Sequence, residues 1–248
     1  MHEVEEGLAM SSIAALEICV DTLSGVETAR RGGAQRVELC SSLSEGGLTP
    51  SWGLMRAAAH LPIPCYAMIR PRAGLFAFSE AEIAFMIDDV TSARQAGLAG
   101  VVLGVQNATG DLDRPSLQRL IDAAGPMGTT LHRVIDVVPD PLRALGTAME
   151  LGFDRVLTSG GAPFAPEGQT LISNMVEMAQ GRISIMPGCG LDASNVAGLV
   201  RATGVLEVHA ACHLPVPGDR AFSDFDPPGG RFETSEHEVR EMVQALQG

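Results

Sequence analysis

Apolar residues return along the chain in eight short runs, each rich in β-branched side chains and closed by Gly, Pro, Asp or Ser. The runs cover 14–20 (AALEICV), 35–40 (QRVELC), 64–70 (PCYAMIR), 100–105 (GVVLGV), 129–134 (TTLHRV), 154–159 (DRVLTS), 182–187 (RISIMP) and 205–210 (VLEVHA). Runs of this length and composition predict strands. A helical stretch follows each one, with readable start signals. Thr49-Pro50 reads as an N-cap with proline at the first helical position. Ser79-Glu80-Ala81-Glu82 and Ser235-Glu236-His237-Glu238 read as capping boxes, and Asp140-Pro141 and Asp192-Ala193-Ser194-Asn195 open two further helices. Gly32, Gly97, Gly152, Gly181 and Gly204 are placed to stop five of them.

Strands that alternate with helices imply parallel βαβ units. Eight such units without a change in composition predict a single-domain (β/α)8 barrel of the TIM type, and the 248 residues suit one. An open doubly wound sheet is the rival. It would carry a glycine-rich phosphate turn after its first strand, where this chain reads VDTLSG. Residues 1–12, acidic and without an apolar core, read as a flexible leader, and 13–248 as one barrel domain. The longest connection, 211–233, follows the eighth strand and is rich in Pro, Gly and Asp. It is read either as a lid or as a disordered loop.

Composition narrows the partners. Seventeen Lys and Arg stand against 30 Asp and Glu, a formal net charge of −13 with no basic run, which argues against nucleic acid. No apolar stretch is long enough to span a membrane. Five cysteines without an export signal or a CxxC pair point to reduced thiols in the cytoplasm and away from structural zinc.

Alternation places chemistry inside the barrel. If Leu16, Ile18 and Val20 face the helices, Glu17 and Cys19 face the lumen. The same logic turns Glu38, Cys40, Glu207, His209, Arg70 and His132 inward. Charges inside a core must pair or meet water. One reading is therefore a self-satisfied salt-bridge network. The other is an acid–base site at the carboxyl ends of the strands, where clustered carboxylates push one another's pKa values apart. In that reading Glu17, Glu38, Arg70, His132, Asp136, Glu207 and His209 are the catalytic candidates, with Asp136 as the carboxylate partner of His132. Arg70 and Arg72 are expected to fork onto a carboxylate or phosphate. The turns Thr158-Ser159-Gly160-Gly161 and Pro187-Gly188-Cys189-Gly190 are expected to offer backbone N–H groups to an anion, through Ser159, Gly160, Gly188 and Gly190. Tight turns that need positive φ would account for the same glycines.

Cys19 and Cys40 each lie two residues after an inward Glu and are predicted to sit side by side on neighbouring strands. Two soft thiolates suit Cu(I), and a pair of small buried residues is the plainer alternative.

The segments LEICVDTLSGVETARRGGAQRVELCSSLSEGGLTPS, MIRPRAG, LHRVID, RVLTSGG, IMPGCG and LEVHA, in this order from residue 14 to 211, resemble the copper homeostasis protein CutC family. The resemblance implies a cytoplasmic TIM-type barrel that self-associates, with a dimer favoured, and an association with copper through Cys19 and Cys40. Two departures stand out. Cys189 occupies a place where the family has a third glycine, and the segment after His209 brings in Cys212 and His213, two more metal-capable side chains. Two functions follow: copper homeostasis with Cu(I) held by two thiols, or an enzyme acting on a small anionic metabolite through the lumen Glu, His and Arg cluster.

Overall fold

The computed structural model describes residues 14–216 and 230–248. Eight strands alternate with helices: β1 (Ala15–Val20), β2 (Arg36–Leu39), β3 (Cys65–Met68), β4 (Gly100–Leu103), β5 (Gly128–Leu131), β6 (Arg155–Thr158), β7 (Ser184–Pro187) and β8 (Glu207–Ala210). They form one parallel ladder in the order β7-β6-β5-β4-β3-β2-β1-β8. β7 and β8 lie side by side at the seam. The result is the nearly closed barrel of a single-domain (β/α)8 fold. The helices α1 (Leu23–Gly32), α2 (Trp52–Ala58), α3 (Glu80–Ala96), α4 (Arg114–Ala124), α5 (Pro141–Leu151), α6 (Gln169–Ala179), α7 (Val196–Thr203) and α8 (Glu236–Gln247) surround it. The main core lies between helices and barrel, where Leu16, Ile18, Val37, Leu39, Val101 and Leu131 are fully buried on the outward strand face.

Most helix signals sit where they read. Ser79 and Glu82 form a reciprocal capping box, Asp140 accepts from Arg143 N–H ahead of Pro141, and Ser235 accepts from Glu238 N–H. Gly97, Gly152 and Gly204 close α3, α5 and α7 in the left-handed region. Four boundaries differ. Thr49 does not cap α2: its hydroxyl accepts from Arg70 N–H at 3.0 Å, which ties it to the end of β3, and Ser51 caps instead through Leu54 N–H. Gly33, not Gly32, is the α1 cap, Gln180 takes the left-handed cap position before Gly181, and Asn195 rather than Asp192 stands at the start of α7.

Two further strands, β9 (His213–Val216) and β10 (Arg231–Thr234), pair antiparallel at the two ends of the long connection after β8. Residues 217–229, the middle of the connection read as a lid or a disordered loop, and the expected leader 1–12 lie outside the described residues. Among the described residues no helix is long and apolar enough to cross a membrane.

Candidate functional site

The charged lumen divides into two layers. In the lower layer Arg155 makes a bidentate pair with Glu207 (2.7 and 3.1 Å), Arg36 reaches the same carboxylate at 3.3 Å, and Arg36 Nε also donates to Glu17. Both guanidinium groups stand over the Tyr66 ring, at 5.1 and 5.3 Å. Burial would raise the Glu207 carboxyl, but the Arg155 hydrogen bond and the two cationic neighbours hold it below the usual range. Glu207 is thus enclosed by arginines, and this layer is the self-satisfied network that the lumen charges allowed. Arg36 and Arg155 were not singled out in the sequence, although Arg36 shares its strand face with Glu38.

The upper layer is built on Glu17. Its fully buried carboxylate accepts from Arg36 below and pairs with His209 Nδ1 at 2.8 Å above. Burial pushes its pKa up, yet the His209 hydrogen bond and the charges of Arg36 and His209 outweigh this and hold it at about 2. His209 therefore presents Nε2 upward, 3.8 Å from Glu38 Oε2. Burial and the neighbouring Glu17 charge raise the Glu38 carboxyl. Burial would lower His209, but the Glu38 charge and hydrogen bonds to Cys19 and Glu17 raise it well above an ordinary imidazole. Ligand atoms of Glu17, Glu38 and His209 all lie within 4.8 Å of one another. Since Glu17 is already spent on Arg36 and His209, Glu38 and His209 Nε2 are the pair left to face a ligand, and a carboxylate behind a ring nitrogen is also how metal-binding histidines are oriented.

A cavity of about 600 Å³ opens above this pair at the carboxyl ends of the strands. Its wall includes Cys19, Glu38, Arg70, His132, Cys189 and His209, with Cys212 and His213 from the connection after β8. Among the described residues, the buried side-chain nitrogen and oxygen atoms without a hydrogen-bond partner are Glu38 Oε1, Arg70 Nε and His132 Nε2, and all three residues line this cavity. Buried polar groups are nearly always paired, so three such atoms around one space mark a place prepared for a ligand.

Other expected site residues are engaged elsewhere. Asp136 does not hydrogen-bond His132. It accepts from Arg133 Nε, Thr158 Oγ1, Ser159 N–H and Gly161 N–H, so the first glycine turn already holds an anion from its own chain. Gly160 N–H donates to Thr158 Oγ1, and a side chain at Gly160 would lie 2.3 Å from the Gly168 carbonyl oxygen. This turn is therefore structural. In the second turn Gly188 N–H donates to Thr158 O, and a Cβ at Gly190 would lie 2.6 Å from Phe164. Cys189 holds φ 79° there, a left-handed conformation that favours glycine. Arg72 is paired with Glu82 and braces the carbonyls of Leu75 and Ala77. It does not join Arg70 in a fork. Arg70 spends its terminal nitrogens on the carbonyls of Glu45, Gly47 and Gly74.

The thiols also differ from the expected arrangement. The β1–β2 register sets Cys19 opposite Glu38, not opposite Cys40. Cys40 lies behind Glu38, its Sγ 3.6 Å from Glu38 Oε2, and burial followed by the Glu38 charge raises its pKa well above that of an ordinary thiol.

The family model described as CutC family matches residues 14–214. The chain belongs to the CutC family. A CutC family protein of Sinorhizobium medicae (strain WSM419) is 52% identical over 204 residues, 82% of this chain and 83% of that protein. One from Caulobacter vibrioides (strain NA1000 / CB15N) is 49% identical over 236 residues, 93% of this chain and 96% of its own length. Among solved structures, a CutC from Streptococcus agalactiae that carries a copper homeostasis name superposes with a TM-score of 0.76 at 30% identity, covering 79% of this chain and 98% of its own. A phosphoribosylanthranilate isomerase from Thermotoga maritima superposes at 0.57 with 14% identity over 95% of this chain and 99% of its own, a likeness of fold alone.

Proposed function

We propose that this CutC-family barrel binds a small polar metabolite in its upper lumen and moves a proton on it, with Glu38 and His209 as the acid–base pair and Glu17 as the residue that orients His209. The observation that carries this reading is the buried Glu38 carboxylate at the cavity, whose Oε1 has no hydrogen-bond partner and whose Oε2 lies 3.8 Å from His209 Nε2. A carboxyl raised by burial beside an imidazole fixed by a second carboxylate has the balance of proton affinities that general acid–base chemistry near neutrality requires. Of the expected anion-anchoring groups, Arg72, the first glycine turn and Gly188 N–H are engaged elsewhere, which leaves Arg70 and Gly190 at the cavity.

The test is a thermal-shift survey of phosphorylated and carboxylated small metabolites. At least one should raise the melting temperature of the wild type, and Glu38→Gln and His209→Gln should each abolish that rise. A survey without a stabilising compound, or a Glu38→Gln variant that responds like the wild type, contradicts the proposal.

A second reading keeps copper as cargo, held as Cu(I) by Cys19 and Cys40. The family name supports it, as does the placement of both thiols around Glu38. The raised proton affinity of Cys40 means that a metal would have to displace its proton on binding. A Cu(I) competition titration on reduced protein, beside the Cys19→Ser/Cys40→Ser variant, decides this reading. Tight binding lost in the variant supports it, and weak or unaltered binding removes it. A cytoplasmic dimer belongs to the same proposal, and sedimentation of the purified chain checks its stoichiometry.

A further inference from the structure

We infer that Arg70 and His132 form an oxygen-binding subsite in the cavity wall, and that the molecule it takes is a small carbonyl compound with a carbon-bound proton beside the carbonyl. This rests on Glu38 and His209 being the acid–base pair. Arg70 and His132 pack on one side chain: the Arg70 guanidinium carbon is 5.2 Å from the Phe76 ring centroid, and the His132 ring centroid is 4.7 Å from it.

His132 is locked in place. Its Nδ1 accepts from Val134 N–H at 3.2 Å, so the neutral ring carries its hydrogen on Nε2. The ring packs so closely on Gly104 that a Cβ there would lie 2.5 Å from His132 Cε1. Burial, then the Arg70 charge, lowers its pKa to about 3, so it is a neutral donor at every physiological pH. Arg70 is held by three backbone carbonyls through its terminal nitrogens, which leaves Nε as the unused donor. Two fixed, buried, unpartnered N–H groups call for an acceptor that can bear negative charge. A carbonyl oxygen that becomes an enolate oxygen is such an acceptor.

The step balances without a co-reactant. The C–H bond beside the carbonyl breaks and its proton passes to the Glu38 carboxylate. The C–H electron pair becomes a C=C bond, and the carbonyl π pair moves onto the oxygen held by Arg70 and His132. Return of the proton to the same carbon re-forms the C–H bond, the oxygen's electron pair re-forms the carbonyl, and Glu38 is regenerated, which completes an exchange or an epimerisation.

The test uses oxalate, a planar stand-in for an enolate, and side-chain nitrogen NMR on the full chain, with His132 assigned from His132→Phe. His132 should remain the Nε2–H tautomer across the neutral range, and oxalate should shift that signal. His132→Phe, which keeps a ring against Phe76, should weaken oxalate about tenfold to a hundredfold and melt near the wild type. A His132 that titrates like an ordinary imidazole, an absent oxalate shift, or unchanged affinity in His132→Phe overturns the subsite. If oxalate binding is lost in Glu38→Gln but kept in His132→Phe, the subsite fails while the acid–base pair stands.

Discussion

His132 and His209 face one cavity yet hold their protons in opposite ways. His209 is charged because Glu17 and Glu38 flank it, and His132 is neutral because it is buried beside Arg70. The consequences for stability have opposite signs. The unfolded chain protonates His132 below its ordinary 6.5, whereas the folded chain resists until about 3. Stability therefore falls as pH drops through that window, with a slope of up to about 1.4 kcal/mol per pH unit from this residue. His209 has a raised folded value, so its contribution is complete below about 6.5 and is lost as pH rises from there through the higher folded value. Urea unfolding as a function of pH should show a shallower acid decline for His132→Phe than for the wild type. An identical decline would mean that His132 is charged in the fold. Both histidines were legible from strand alternation, because the apolar face of each β-run is claimed by the helices and the polar residues between must turn to the lumen. Asp136 was misleading because proximity along the chain to His132 says nothing about the Ser159 turn that claims its oxygens.

At the scale of elements, all eight strands were legible because each short β-branched run is bounded by its own turn chemistry. Stagger between strands was not, since it depends on how the whole ladder tilts. That is why Cys19 and Cys40 read as neighbours while the register pairs Cys19 with Glu38. Gly32 shows a similar limit. It reads as a helix stop, but it is the last residue of α1, and its role is close packing on α8: a Cβ there would lie 2.5 Å from Val239 Cβ and Cγ1. Gly32→Ala should cost about 1–3 kcal/mol by overpacking. Val239→Gly, which removes both contacting atoms, should cost less in the Gly32→Ala background than in the wild type in denaturant unfolding. Additive losses would show that the two sites do not share the strain.

Across the whole molecule, the lumen charges separate into a lower layer that holds the barrel together and an upper layer that leaves atoms unpaired. Strand alternation names these charges but cannot sort them, because the deciding partners, Arg36 and Arg155, come from strands far apart in the chain and meet only on closure. Breaking the lower layer leaves an uncompensated buried charge. Arg155→Ala should therefore cost about 3–5 kcal/mol. Glu38 is the contrasting case, since its Oε1 has no partner to lose and its ionised form is disfavoured where it sits. The most direct measurement is thermal unfolding of Glu38→Gln beside the wild type and Arg155→Ala at neutral pH. A functional upper layer predicts that Glu38→Gln melts at or above the wild-type temperature while Arg155→Ala melts well below it. A fall of Glu38→Gln comparable to that of Arg155→Ala would make Glu38 part of the structural network and contradict its role as an acid–base group.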